Sequence, residues 1–514
     1  MGEVVSDDPA APRWWQTGVV YQVYPRSFQD TDGDGVGDLP GIIDRLDHLA
    51  WLGVDAVWLS PIFRSPMRDF GYDVADYLDI DPLFGTLADA DRLIAEAHSR
   101  GLRVLLDFVP NHTSSDHAWF VDARSSRDAE HRDWYVWRDP APGGGPPNDL
   151  ESEFGGPAWT FDEATGQYWY HSFLPEQPEL DWRNPAVREA MLDVMRTWFG
   201  RGIDGFRIDV VHLIGKDPAF ADHPPARAKW PHVVLNDHES THALLRRLRK
   251  VIDSYPGERV TVGEIVLSTR RVATYYGQGD ELHLAFNFPP LRAEWDAERW
   301  RACIDRTYEQ LDPIDAWPTW VLGNHDVPRL RTRYGTDSRA RAAAVLLLTL
   351  RGTPFVYAGD ELGLEDATVT GPDVLDPGGR DGCRAPIPWE PDGRHGWTGA
   401  TPWLPFAPDA SGKSVARQRE DPASMLGLHR DLLALRRGSD ALQSGSFAWL
   451  DSPEGVLAYQ RAADGDHRVV CVSFVPEPRA VEQRGTIEVS SVPGRAGRPF
   501  DGELLADEAV VLRV

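Results

Sequence analysis

Short runs of β-branched and aromatic residues alternate with amphipathic stretches along most of the chain. Apolar runs occur at Val19–Val23, Ala56–Ser60, Val104–Phe108, Gly205–Asp209, Val260–Glu264, Leu282–Phe288, Trp320–Asn324 and Phe355–Glu361. Between most of them apolar positions recur at helical spacing, as in IIDRLDHLAWLG, DADRLIAEAHSRG and AVREAMLDVMRTWFGRG. Near-continuous apolar strands separated by helices predict a parallel sheet with helices outside it. Eight such units predict an α/β fold, a (β/α)8 TIM barrel.

Two regions break the alternation. The connection between the third and fourth strands is long, and its first part, RDPAPGGGPPNDLESEFGGPAW, is rich in Gly, Pro and charge. Insertions of this kind in a compact domain are usually functional or form a small subdomain. Residues 113–180 are read as a loop subdomain on the barrel rim, leaving 1–112 and 181–440 for the barrel. A shorter insertion, GKDPAFADHPPARAKWPH, follows strand four. After residue 440 the pattern turns to strand-like pieces (GVLAYQRA, RVVCVSFV, GTIEVSSV, AVVLRV). These predict a C-terminal antiparallel β-sandwich domain over 441–514.

Charge narrows the partners. The formal net charge is −27 over 514 residues, which argues against nucleic acid or an anionic membrane as partner. The three cysteines are few, odd in number and far apart, so a reducing, cytoplasmic setting is expected. The start MGEVVSDDPAAPRWWQTG has neither a basic nor an apolar signal region, and its Gly2 and Ser6 match a myristoylation pattern by chance. No run of about 18 apolar residues predicts a membrane span. A monomer or small homo-oligomer is expected. His48 and His98 fall on helix patterns and are expected at the surface or satisfied.

Chemistry gathers at the predicted strand ends. Arg207 and Asp209 lie two apart in a core strand and so face the same way. Charged residues are rarely buried unless paired or used. Strand three ends in Asp107, Asn111 and His112, strand five in Glu264, and strand seven in Asn324, His325 and Asp326; the loop after strand two carries Tyr72 and Asp73. In a (β/α)8 barrel these ends converge on one face. A divalent metal is one use for such a set, but Arg207 would repel it. Glycoside hydrolysis is the other, needing one ionised and one protonated carboxyl; an arginine favours ionisation of its neighbour, and a second carboxylate raises the acid.

The segments DFVPNH, GFRIDVV, EIV, VLGNHD and QPELDW, with VVYQVYPRSFQDTDGDGVGDLPGI near the start, identify the chain as similar to the α-amylase superfamily, glycoside hydrolase family 13, most of all its α-glucosidase and oligo-1,6-glucosidase branch. The resemblance implies a retaining, exo-acting enzyme on short oligosaccharides. It implies Asp209 as nucleophile, Glu264 as general acid then base, and Asp326 as the carboxylate that holds the sugar hydroxyls. Arg207 would orient Asp209 and keep it ionised. His112, His325 and Asp73 would bind the terminal glucose, Tyr72 would stack beneath it, and Arg380 would close the pocket. Val210 is of the type found in α-1,6-acting members, whereas QPELDW departs from their usual QPDLN at Glu179 and Asp181. Transfer to an acceptor sugar by a glucosyltransferase or sucrose-active relative, with the same residues, is the alternative; a non-catalytic binding subunit is a remote one. DTDGDGVGD imitates the start of a calcium loop. The resemblance adds a structural Ca2+, or Mg2+ in its place, on Asp30, Asp32, Asp34, Asp38 and the Val36 carbonyl.

Overall fold

The computed structural model describes residues 12–220, 237–376 and 378–514. The N-terminal residues 1–11 and most of the insertion after strand four lie outside the described residues. Eight parallel strands form one sheet: β1 (Val20–Val23), β2 (Ala56–Leu59), β3 (Arg103–Phe108), β4 (Gly205–Ile208), β5 (Val260–Gly263), β6 (Leu284–Ala285), β7 (Thr319–Val321) and β8 (Thr353–Tyr357). Their order is β6-β5-β4-β3-β2-β1-β8-β7, which is a barrel opened between β6 and β7. At that seam a side chain stands in for the ladder. Thr319 Oγ1 donates to the Ala285 carbonyl at 2.8 Å and accepts from Asn287 N–H at 3.1 Å. The sixth strand is shorter than its apolar run predicts: Phe286 N–H still donates to the Gly263 carbonyl at 2.9 Å, and Asn287 N–H then turns to Thr319 at the seam.

Strand alternation sorts the side chains. Val20, Ala56, Trp58, Leu105, Val260, Val262, Leu284, Val321 and Phe355 fill the barrel interior. Tyr21, Val23, Val57, Leu59, Val104, Leu106, Phe206 and Ile208 face the helices. Gly205 is required on the inward row: a Cβ there would meet the Val260 carbonyl oxygen at 2.3 Å. The outer helices start and stop on local signals. Leu39–Leu52 is capped by Asp38, whose carboxylate accepts from Gly41 N–H, and ends at left-handed Gly53. Pro185–Arg201 is capped by Asn184 with Pro at N1 and ends at Gly202.

A three-stranded sheet (Trp137–Arg138, Trp159–Asp162, Gln167–Tyr170) lies within the insertion after β3. The C-terminal part forms a six-stranded antiparallel sheet from Ser446–Trp449 to Ala509–Arg513. One face, with Leu457, Tyr459, Val470, Val472 and Val511, joins the barrel core, and the other covers Val456, Ala458, Cys471 and Val510 beneath Val481 and Leu504. The second layer of the expected sandwich is thus a two-stranded ribbon (Arg479–Ala480 with Glu503–Leu504). No helix among the described residues is long and apolar enough to cross a membrane. His48, expected at the surface or satisfied, is buried against Trp51 and Trp389, and neither ring nitrogen has a partner. His98 does sit at the surface, 2.8 Å from Asp204.

Candidate active site

The β3–β4–β5 register sets the centre of the site. Asp107 pairs laterally with Arg207, and Arg207 with Val262. The ladder then runs one residue past the strands. Asp209 N–H donates to the Phe108 carbonyl and Glu264 N–H to the Ile208 carbonyl, both at 2.8 Å. Neighbouring backbones therefore deliver Asp209 and Glu264 side by side.

One guanidinium joins three carboxylates. Arg207 Nη1 lies 2.8 Å from Asp107 Oδ1 and 2.6 Å from Asp209 Oδ1, and Nη2 lies 2.8 Å from Glu264 Oε2. Arg207 is 2% exposed and Asp107 1%, so solvent screens these pairs little. Glu264 Oε2 also accepts from Val210 N–H at 3.1 Å. Val210 takes a left-handed conformation, φ 32° and ψ 44°, a strained choice for a β-branched residue. That turn aims its N–H at Glu264. Among the described residues, Asp209 Oδ2 and Glu264 Oε1 accept no protein hydrogen bond, which leaves them for a ligand.

The sequence reading expected Arg207 to hold Asp209 ionised. The balance runs the other way. Burial pushes the Asp209 carboxyl well up; Arg207 opposes this, and Glu264 and Asp107 add to it. Three carboxylates around one buried cation leave negative charge unbalanced, which disfavours ionisation of Asp209. Asp107 is pushed up by burial to about 6, against the pull of Arg207. It stays ionised at neutral pH, in keeping with its donors: Arg207 on Oδ1, and Trp58 Nε1–H and Tyr72 O–H on Oδ2, each at 3.2 Å.

Strand β7 supplies the opposite wall. Asp326 Oδ1 lies 3.0 Å from Arg380 Nη1 and 3.4 Å from Arg384 Nη2, and Oδ2 lies 3.3 Å from His325 Nε2. Burial works to raise the Asp326 carboxyl, but its cationic neighbours win and hold it well below the usual carboxylate range. His325 is itself pushed by burial down to about 3. His325, which is protonated in the acid range where Asp326 titrates, supplies the lowering together with Arg380 and Arg384. Arg380 also reaches Asp69 at 2.9 Å and Asp376 at 2.6 Å. It straps the loop after β8 to the loop after β2. His112 meets Asn111 Nδ2 at 3.1 Å and Gln177 Nε2 at 3.2 Å, and burial lowers its ring to about 4. The Tyr72 ring lies on His325, 5.5 Å between centroids and 6° from parallel.

Asp73 does not join this group. Its carboxylate accepts from Ser65 Oγ, Arg68 N–H and Asp69 N–H, all within its own loop, and it is 0% exposed. Asp69 takes the place in the cleft, between Arg380 and Gln177. The left-handed residues Phe70 (φ 50°) and Gly71 (φ 107°) turn the chain between the two aspartates. Sequence reading also left out Arg384 and the ionic role of Asp107. Glu179 and Asp181, the two departures in the fifth motif, are engaged elsewhere. Glu179 is buried on Lys216 (3.0 Å) and Ser172 (2.6 Å), and Asp181 pairs with Arg183.

On the first βα loop, Asp30, Asp32 and Asp38 each offer a carboxylate oxygen within 4.8 Å of the others. Asp34 is outside that group; its carboxylate accepts from Val36 N–H at 2.7 Å. Asp30 is fully buried, and burial pushes its carboxyl up against the Gly33 and Gly35 amides. A hard cation there would offset the desolvation, and three carboxylates suit calcium.

The family model for the α-amylase catalytic domain matches residues 22–445. A probable α-glucosidase of Rhizobium meliloti is 41% identical over 96% of this chain and 95% of its own. An oligo-1,6-glucosidase of Halalkalibacterium halodurans is 37% identical over 90% of both chains. Among solved structures, an α-glucosyl transfer enzyme, XgtA, is 40% identical with a TM-score of 0.90, covering 98% of this chain and 100% of that one. A match over most of the 514 residues, centred on this cleft, places the chain in the α-amylase family of glycoside hydrolases.

Proposed function

We propose that the protein is a retaining, exo-acting α-glucosidase that removes terminal glucose from short oligosaccharides. The observation that supports this most is the shared guanidinium: Arg207 holds Asp209 on one nitrogen and Glu264 on the other, with one free oxygen on each carboxylate. A shared guanidinium keeps the two carboxyls close together, as a double displacement requires. Asp209 attacks the anomeric carbon, and Glu264 gives its proton to the leaving oxygen. Glu264 then takes a proton from the incoming water, which releases glucose with its configuration kept. Arg207 and the Val210 amide occupy Glu264 Oε2, so the proton is carried on Oε1. Asp326, held ionised by Arg380 and Arg384, binds the ring hydroxyls and favours the positive charge that develops on the sugar. His112, His325, Tyr72 and Asp69 complete the glucose pocket, and the Arg380 strap across the two loops supports the exo mode.

A calcium ion on Asp30, Asp32 and Asp38, with Asp34 and the Val36 carbonyl turned inward, would brace the first βα loop and leave the chemistry to the carboxyls. Similarity to XgtA favours a second reading, in which a sugar rather than water intercepts the glucosyl-enzyme. Incubation with maltose, isomaltose, sucrose and maltohexaose, with Asp209→Ala as control, separates the two. Glucose released from maltose or isomaltose supports hydrolysis. Longer sugars appearing first support transfer, and long fragments from dissolved starch would refute the exo mode.

A further inference from the structure

His325 is enclosed on three sides in the cleft and is 1% exposed. Its faces are covered by Tyr72 and by Tyr24 (centroids 5.7 Å apart, 18° from parallel), and the edge of Trp58 closes a third side. The ring cannot turn over without displacing these neighbours, so its two nitrogens keep their partners. Nε2 lies 2.7 Å from Tyr72 Oη and 3.3 Å from Asp326 Oδ2, on the substrate side. Nδ1 lies 2.8 Å from the side-chain amide nitrogen of Gln22, which points inward from β1.

Gln22 is a polar residue in an apolar strand, 1% exposed. Its Nε2 is also 3.1 Å from Ser60 Oγ, while its Oε1 is buried with no partner. The amide orientation follows from the cost of the alternative. As placed, both N–H bonds of the amide meet acceptors and one carbonyl oxygen is left over. Turned over, two buried N–H bonds would be orphaned, and unpaired donors are the rarer and costlier case. The Gln22 N–H therefore donates to Nδ1, and the ring proton must sit on Nε2. The rest of the chain of donors then runs in order. His325 Nε2–H gives to Tyr72 Oη, and the Tyr72 hydroxyl gives to Asp107 Oδ2.

We propose that Gln22 is a positioning residue that fixes His325 as the neutral Nε2–H tautomer, so that this nitrogen donates to Tyr72 Oη and turns the Tyr72 hydroxyl toward Asp107 in the wall of the glucose pocket. The inference rests on the glucosidase reading for its consequence in catalysis, but the tautomer itself does not. The charged and titratable groups that face His325 are Asp326 beside it, Arg380 and Arg384 after β8, Arg207 on β4, Asp107 on β3 through Tyr72, and the hydroxyls of Tyr24 and Tyr72. The arginines oppose a cationic ring and Asp326 favours one, and Gln22 adds no charge to either side.

Gln22→Glu separates positioning from packing. A carboxylate at this place demands a proton on Nδ1. Nε2–H then survives only while the ring is an imidazolium, and is lost as pH rises through the ring's new pKa. The full-length protein, labelled with 15N-histidine, is followed by NMR over about pH 5–8, with His325 identified by the signal missing in His325→Asn. The wild type is expected to show Nδ1 bare and Nε2 protonated throughout, and Gln22→Glu to show Nδ1 protonated. With maltose as substrate, Gln22→Glu keeps its kcat/KM on the acid side and gains an alkaline limb that the wild type lacks. Gln22→Met, similar in shape but without the donor, loses about 10–100-fold in kcat/KM with the wild-type pH profile. A protonated Nδ1 in the wild type overturns the proposal. So does a Gln22→Glu profile that is lowered but unchanged in shape. A wild type that cleaves none of the sugars refutes the glucosidase reading, and the NMR result still decides the tautomer.

Discussion

Replacing Arg207 by Met removes the single cation among three carboxylates while keeping most of its volume. Three contacts of 2.6–2.8 Å are lost, in a site where Arg207 is 2% exposed. Breaking a buried pair by deleting one partner costs about 3–5 kcal/mol, a large part of a typical stability of roughly 5–15 kcal/mol. The cost depends on pH with a definite sign. The folded-state pKa values of Asp107 and Asp209 lie above those of the unfolded chain even with Arg207 present, and further above without it. A group of this kind supports folding fully below its unfolded pKa, near 4, and loses that support as pH rises through the folded value. The variant should therefore be about 3–5 kcal/mol less stable than wild type at pH 7 and approach it at about pH 4. Urea unfolding followed by circular dichroism across this range reads the difference. Arg207→Lys, with one ammonium for three partners, falls between. A stability difference that is small, or constant with pH, would refute the reasoning that one guanidinium balances the cluster.

Four further outcomes follow from the same geometry. Thr319→Val leaves the Ala285 carbonyl and the Asn287 amide unpaired at the barrel seam, and should cost about 1–3 kcal/mol with faster hydrogen exchange at residues 285–287. Asp69→Asn weakens the Arg380 strap and should lower kcat/KM for maltose by about 10–100-fold, whereas Asp73→Asn should act on stability first, since its carboxylate serves its own loop. Chelation of metal should lower the thermal midpoint while the initial rate at 25 °C stays within about twofold, and added calcium should restore the midpoint. Arg384→Met should lift the Asp326 carboxyl toward the ordinary range, so that an acid limb of kcat moves up in pH.

The barrel was legible because its signal is periodic. Strands such as Val104–Phe108 are apolar on both faces, and helices such as Leu39–Leu52 carry their own caps. The carboxyls proposed as catalytic were legible because a charged residue on an inward row of a buried strand is costly and so stands out. The resemblance then gave Asp209, Glu264 and Asp326 their roles. What the sequence concealed depends on turns and on balance. Asp69 and Asp73 are the same residue type in one short motif, and the left-handed pair Phe70–Gly71 decides which of them faces the cleft. The direction of the Asp209 shift depends first on its burial, and then on Arg207 set against the neighbouring Glu264 and Asp107 carboxylates, which only the folded packing fixes. Gln22 left a faint mark, a lone amide on the inward row of β1. Its meaning required the position of His325, three hundred residues away. The seam between β6 and β7 left none, because a threonine in a strand is ordinary until its hydroxyl is seen to replace a ladder bond.

The central claim is that Asp209 forms a covalent glucosyl ester that Glu264 helps to make and to break. Glu264→Gln cannot protonate a leaving group, but α-glucosyl fluoride needs no proton to leave. With that substrate the first step proceeds, and the second stalls for want of a base. Intact-mass spectrometry followed by peptide mapping is predicted to find one added glucosyl group on Asp209. A glucosyl group on any other residue, or turnover to free glucose with no adduct at any time, would contradict the account.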